Sequence, residues 1–353
     1  AVDIDGGAID GTAIGATTAS TGAFSTISLG STAITSTGAE INVLDGDTSA
    51  TATTVVAGDR VILNDNGTMK QVAIPDIGTY ITGALALNSL SDVLIEATSS
   101  LYIGNDPKST TDEADYNLGI GVTALDAITE GDGNIAIGHD ALTANTTGAS
   151  NIAIGKGALD AAVTQSNNIA IGVNALGGTN SGGTNDGGEY NVAIGNNTLT
   201  ATLGGGDKQG QYNVAVGDNA LKLNTTGSYN TATGAWSLNA NTTGKSNTGI
   251  GLEALTKNVD GNYNTGIGSE ALYTNVDGNY NTGIGSEALY TNASGDGNTA
   301  VGQYALNKST GNYNTAIGAE ALEKNTGTSN TAIGTEAGEA TTTGDNNVFV
   351  GSD

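Results

Sequence analysis

The sequence predicts an all-β chain whose larger part is a parallel β-roll, or solenoid, and three observations carry that expectation. Asn-x-Ala/Gly-Ile/Val-Gly recurs at Asn117, Asn134, Asn151, Asn168, Asn191, Asn213, Asn230, Asn247, Asn264, Asn281, Asn298, Asn314 and Asn330, most often every 17 residues, with a drifted copy at Asn347. Short fixed periods mark stacked units that bury their faces on one another. Composition agrees: 55 glycines, two Phe, one Trp and no Cys cannot fill a globular core, but thin stacked rungs need only small side chains. Turn residues such as Gly-Ser-Glu and Asn-x-Asp-Gly-Asn separate the apolar stretches.

In chain order, residues 1–58 read as a β-repeat shaft segment of short strands and turns, rich in Thr, Ser, Ala and Gly. Residues 59–115 read as a β-hairpin and transition segment. Arg60–Leu63 and Met69–Ile74 flank a turn at Asn66-Gly67, and Pro75-Asp76 is expected to open a short helix to about Leu87. Residues 116–353 form the repeat array. With the motif Asn as position one, a typical unit is Asn264 to Tyr280. Asn264–Gly268 fits one strand, and Ala271-Leu272-Tyr273-Thr274 is expected to form a second. Rungs about 4.8 Å apart give fourteen copies a shaft of roughly 65 Å.

Alternation then assigns faces. Ile or Val at position four is expected to point inward beside the Leu of Ala-Leu. Ala or Gly at position three is expected to face a neighbouring subunit, and Gly at position five to serve a turn with positive φ. The change at position two, from Ile152, Ile169, Val192 and Val214 to Thr231 and its successors, would make the C-terminal interior more polar or narrower if that position faces inward. Stacked Asn amides are expected to hydrogen-bond from rung to rung. Glu253, Glu270 and Glu287 fall on consecutive rungs and repel by roughly 0.9 kcal/mol per pair even in water, so they should be exposed and splayed.

Acidic residues outnumber basic ones by 36 to 10, a formal charge of −26. That disfavours nucleic acid and anionic membrane surfaces as partners, because phosphate binding needs clustered cations. No apolar run reaches the roughly 20 residues of a membrane span. Without Cys there are no disulfides or thiolate metal sites. No metal or other cofactor and no catalytic residue is expected, since no acidic pair breaks the repeat and the single His139 takes an ordinary turn position. The chain lacks an initiating Met and is read as a processed or partial product.

The run Asn314–Gly327, Asn-Thr-Ala-Ile-Gly-x-Glu-Ala-Leu-x-x-Asn-Thr-Gly, resembles repeats of bacteriophage tail-fibre proteins, especially marine ones. It is also similar to the head repeats of trimeric autotransporter adhesins, whose unit is usually shorter. The resemblance covers about Tyr116 to Asp353, and segments at Ala8–Ile27 and Gly83–Asn105 look like tail-fibre material too. It implies an intertwined or side-by-side homotrimeric fibre on a virion, working with other tail or fibre proteins outside the cell. An adhesin on the bacterial surface is the alternative, and a polysaccharide-degrading tailspike a third reading. The resemblance also implies a self-cleaving chaperone that could begin near Ser352-Asp353, although Gly-Ser-Asp equally continues the repeat.

Two spacings depart from 17. Asn168 to Asn191 is 23 residues and Asn191 to Asn213 is 22, with the surplus in Gly177–Glu189 and Thr200–Gln211. Insertions in a solenoid form loops on one face, so these should project side by side. Candidate receptor-binding residues are Asn180, Asn185 and Asp186 in the first insertion, Lys208 and Gln209 in the second, and the nearby Trp236, with a host-surface glycan as the partner. Tyr116, Tyr190, Tyr212, Tyr229, Tyr263, Tyr280 and Tyr313 each precede a motif Asn and should pack along a corner or between subunits, with carbohydrate stacking the sharper alternative.

Overall fold

The computed structural model describes residues 27–29, 32–34, 60–65, 68–75, 93–95, 100–103, 114–178, 188–201 and 209–352. The chain divides into two compact units, Ala1–Thr79 and Tyr80–Asp353. The first holds two antiparallel hairpins. β1 (Ile27–Leu29) pairs with β2 (Thr32–Ile34), and β3 (Arg60–Asp65) pairs with β4 (Thr68–Ala73) in the register Asp65↔Thr68. That register leaves the two-residue Asn66-Gly67 connection expected from sequence. Ile74 and Pro75 have helical backbone. The remainder of the expected helix lies outside the described residues.

The second unit is a parallel β-solenoid. β5 (Val93–Ile95) joins β6 (Leu101–Ile103) antiparallel, and from β6 to β20 (Val348–Val350) every neighbouring pair is parallel in one 16-stranded sheet. The sheet therefore starts one rung before the first motif Asn. Ser100 lies 17 residues before Asn117 and takes the Asn role, its Oγ accepting the Asn117 N–H at 3.0 Å.

Each rung contributes one three-residue strand, as in β15 (Thr265–Ile267), and the face assignment from sequence is inverted. The middle residue is buried while its neighbours are half-buried or exposed. Position three thus faces the interior and positions two and four face out. The reason is the Leu column. Leu255 and Leu272 are fully buried, and a β-carbon at Gly266 would already sit 3.2 Å from Leu255 Cγ and 3.1 Å from the Ala271 carbonyl. Leu from the preceding rung fills the interior, so only Ala or Gly fits opposite. Large residues at Gly266 and Gly283 would overpack the rung itself rather than block a subunit contact. The Ile/Val-to-Thr change at position two, accordingly, alters the outer face and not the core.

The second expected strand does not form. Ala271 and Leu272 are consecutive and both fully buried, which an extended chain cannot achieve because alternate residues point apart. A left-handed Leu272, φ 54°, solves this, and Leu255 and Leu289 do the same. The conformation costs roughly 1–2 kcal/mol, which burial of a Leu side chain, about 1.5–3 kcal/mol, offsets. Gly at position five behaves as expected. Gly268 has φ 136°, and a β-carbon there would lie 2.4 Å from the Gly285 carbonyl of the next rung.

Half of the core is amide. Asn281 N–H donates to Asn264 Oδ1 at 2.9 Å, and Asn264 Nδ2 donates to the Gly278 carbonyl at 2.7 Å, so the expected Asn ladder closes each coil as well as linking rungs. A second ladder, not anticipated, runs through position twelve. Asn258 Nδ2 donates to Asn241 Oδ1 at 2.7 Å, Asn275 to Asn258 at 2.9 Å and Asn292 to Asn275 at 3.1 Å. A third, at position sixteen, runs in the opposite sense, with Asn262 N–H donating forward to Asn279 Oδ1 at 2.9 Å. Such pairing is what allows polar groups into a dry core.

Aromatic residues enter the small-residue column at both ends of this sheet. Tyr102 is fully buried over Gly119, where a β-carbon would be 2.8 Å from its ring. Phe349 packs on the core at the other end, and Gly338 replaces the usual Leu beneath it, a β-carbon there falling 2.7 Å from the ring.

Candidate functional site

Both insertions leave the solenoid at position eleven, after Gly178 and Ala201, and their returning ends are joined by Gly188 N–H donating to the Gln209 carbonyl at 2.9 Å. Asn180, Asn185, Asp186 and Lys208 lie outside the described residues. Gln209 is half-buried at that junction. Trp236 is 43% exposed, at position seven with φ 61°. It occupies the turn after the strand, four positions before the one from which the insertions depart.

What the insertions do adjoin is a stack of tyrosines. Tyr190 and Tyr212 follow the two returning ends directly, their rings 4.9 Å apart and 6° from parallel, and Tyr229 continues the stack at 5.2 Å and 7°. Tyr263 and Tyr280 form a second stack at 5.1 Å and 2°. All five sit at position seventeen in left-handed backbone, where Gly, Ser or Asn stands in other rungs. Within a stack the ring faces are spent on each other, so the edges and hydroxyls point to solvent. The sequence showed the tyrosine phase. That rung spacing matches ring stacking, and that the longer stack begins at the insertions, needed the coordinates.

A second pair, Tyr273 and Tyr290, stacks at 5.1 Å, with Lys257 Nζ 4.7 Å above the Tyr273 ring. Burial raises the Tyr290 hydroxyl pKa, and the charges of Glu270, Tyr273, Glu287 and Glu253 push the same way. Those glutamates are half-buried rather than splayed in solvent, because position seven is a turn residue held between rungs. Glu320, Glu323 and Glu339 also converge, but Lys308 reaches Glu323 at 2.7 Å and Lys324 reaches Glu339 at 2.5 Å. This is an exposed ion-pair network, worth little individually.

His139 Nδ1 lies 2.5 Å from Asp140 Oδ2, and Thr123 Oγ1 donates to Asp140 Oδ1 at 2.5 Å. The Thr123 hydrogen bond holds the Asp140 carboxyl below its ordinary value against a smaller opposing effect of burial, with the charge of His139 helping. A lowered folded-state pKa adds stability above the unfolded value that is lost as pH falls through the folded one. Thr123→Val should therefore raise the Asp140 pKa in an NMR titration and move that acid loss to higher pH. An unmoved titration would show that the hydroxyl does not set it.

The fold and its surface define a parallel β-solenoid carrying stacked exposed aromatics at one corner. Comparison with family models, curated proteins and solved structures returns no match.

Proposed function

We propose that this chain is a structural and adhesive fibre of a phage virion, a tail fibre or similar appendage that spaces or presents host-recognition surfaces, assembled as a homotrimer. One observation supports the assembly most directly. The outward positions two and four carry Ile, Val and Thr on rung after rung, and Ile194, Val214, Ile250, Ile284, Ile317 and Ile333 are exposed in the single chain. A continuous apolar stripe on a chain of charge −26 is surface that further copies would cover. The copies meet through this stripe and not through position three. The resemblance to tail-fibre repeats supplies the virion; a bacterial surface adhesin is the second reading, supported by the likeness to adhesin head repeats.

Light scattering is expected to give about 104 kDa, three times the 34.7 kDa chain, and negative-stain images to show rods. A folded monomer overturns the assembly. Antibodies to the chain should label virion appendages, and labelling of the bacterial envelope alone would favour the adhesin.

A further inference from the structure

We propose that the gap at Ser246, between the rings of Tyr229 and Tyr263, is a binding slot for one pyranose ring of an uncharged glycan. The proposal rests on the fibre reading and narrows its recognition surface to one site.

From the insertions onward, position seventeen holds Tyr190, Tyr212, Tyr229, Ser246, Tyr263 and Tyr280. The backbone is the same throughout, with φ of 55°, 57°, 63°, 56°, 57° and 58°. Only the side chain changes at Ser246, and there the column of rings is interrupted. The exposures reflect the interruption: Tyr190 and Tyr212 are each 45% exposed but Tyr229 is 61%, since no ring covers its far side. Left-handed backbone disfavours Tyr by roughly 1–2 kcal/mol relative to Gly. The rings are kept on both sides of the gap against that preference.

The width selects the occupant. Rings two rungs apart are separated by about 10 Å. Two van der Waals contacts of about 4 Å each leave room for the thickness of one puckered ring. A flat aromatic ring needs only about 7–8 Å in total and would lose contact on one face. Pyranose C–H faces match tyrosine faces, while the sugar hydroxyls need polar partners at the rim. Lys245 is exposed beside Ser246, and Asn262, whose Oδ1 accepts the Lys245 N–H at 2.9 Å, lies one rung on. A chain of charge −26 repels anionic saccharides, which leaves neutral ones.

Ser246→Tyr tests this directly, because five neighbouring rungs hold Tyr in the same backbone and the new ring would complete the column. The full chain is titrated with gluco-, manno- and galacto-hexasaccharides, read by saturation-transfer NMR. At least one saccharide is expected to receive saturation on its ring C–H protons, and Ser246→Tyr to weaken it about tenfold or more. Tyr229→Ser, which removes one wall and leaves a residue that position seventeen already accepts, should do the same. Ser150→Tyr, at the same position with φ 58° but between Gly133 and Asn167, should bind as the parent does. Absence of transfer from every saccharide, parental binding by Ser246→Tyr, or equal loss in Ser150→Tyr overturns the slot. A trimeric rod that binds no saccharide overturns the slot alone, whereas a saccharide-binding monomer overturns the fibre assembly alone.

Discussion

Leu272→Ala is expected to destabilise the folded chain by about 2–5 kcal/mol, while Ile267→Ala in the same rung costs less than about 1 kcal/mol in a dissociated chain. Leu272 is fully buried between the small residues of its own rung and the next, and Gly283 leaves no atoms able to close the cavity behind it: a β-carbon there would already meet Leu272 Cγ at 3.2 Å. Ile267 lies on the outer face and is half-buried. Denaturant midpoints at low protein concentration separate the two. Equal losses would return Ile267 to the interior and undo the face assignment. At high concentration Ile267→Ala should weaken association instead, since the outer stripe is where further copies are proposed to meet.

The second large effect is expected from Asn264→Leu. The side chain fits by size, but it leaves the Asn281 N–H and the Gly278 carbonyl without their partners, bonds of 2.9 and 2.7 Å. Each buried group left unpaired costs about 1–3 kcal/mol, so the total is about 2–6 kcal/mol. The damage should be local at first. Hydrogen exchange at the Asn281 amide is expected to speed up well before exchange near Asn134 changes. Unchanged protection at Asn281 would mean that the amide is held by something other than the ladder.

Much of this architecture was legible in the sequence, because period and chemistry were repeated together. The parallel stack, the Asn ladder at position one and the positive-φ Gly at position five all follow from one motif. The face phase was not legible from a three-residue strand, since alternation has two solutions and the larger residue is the natural choice for the core. Leu272, from elsewhere in the coil, decides it by occupying the interior first. The Ala271-Leu272 pair looked like strand because nothing in the letters announces a left-handed Leu. Asn258 and Asn275 did repeat eleven residues after the motif, so the second ladder was readable, but without a reason for Asn to be buried it looked like turn composition. Trp236 drew attention by its rarity. The arrangement of Tyr190, Tyr212 and Tyr229 was hidden because its meaning depends on rung spacing, and four of the six candidate receptor residues fall outside the described residues.

The direction of the inter-rung bonds sets how this solenoid would bear mechanical load. Between the rungs of Asn264 and Asn281, Thr265 N–H reaches the Asn281 carbonyl, Gly285 N–H reaches Ile267, Leu272 N–H reaches Ala288, Thr274 N–H reaches Tyr290 and Gly297 N–H reaches Asn279. The amide ladders add Asn281 to Asn264 and Asn292 to Asn275. All of these run along the stacking direction, where strands are spaced in the hydrogen-bonding direction. Tension along the stack therefore loads every bond of one interface at once, and the backbone continues to tether neighbouring rungs after those bonds part. Such a solenoid should extend in steps of one coil, each coil paying out about 17 residues of chain and absorbing a jolt that would otherwise reach whatever is attached at its ends.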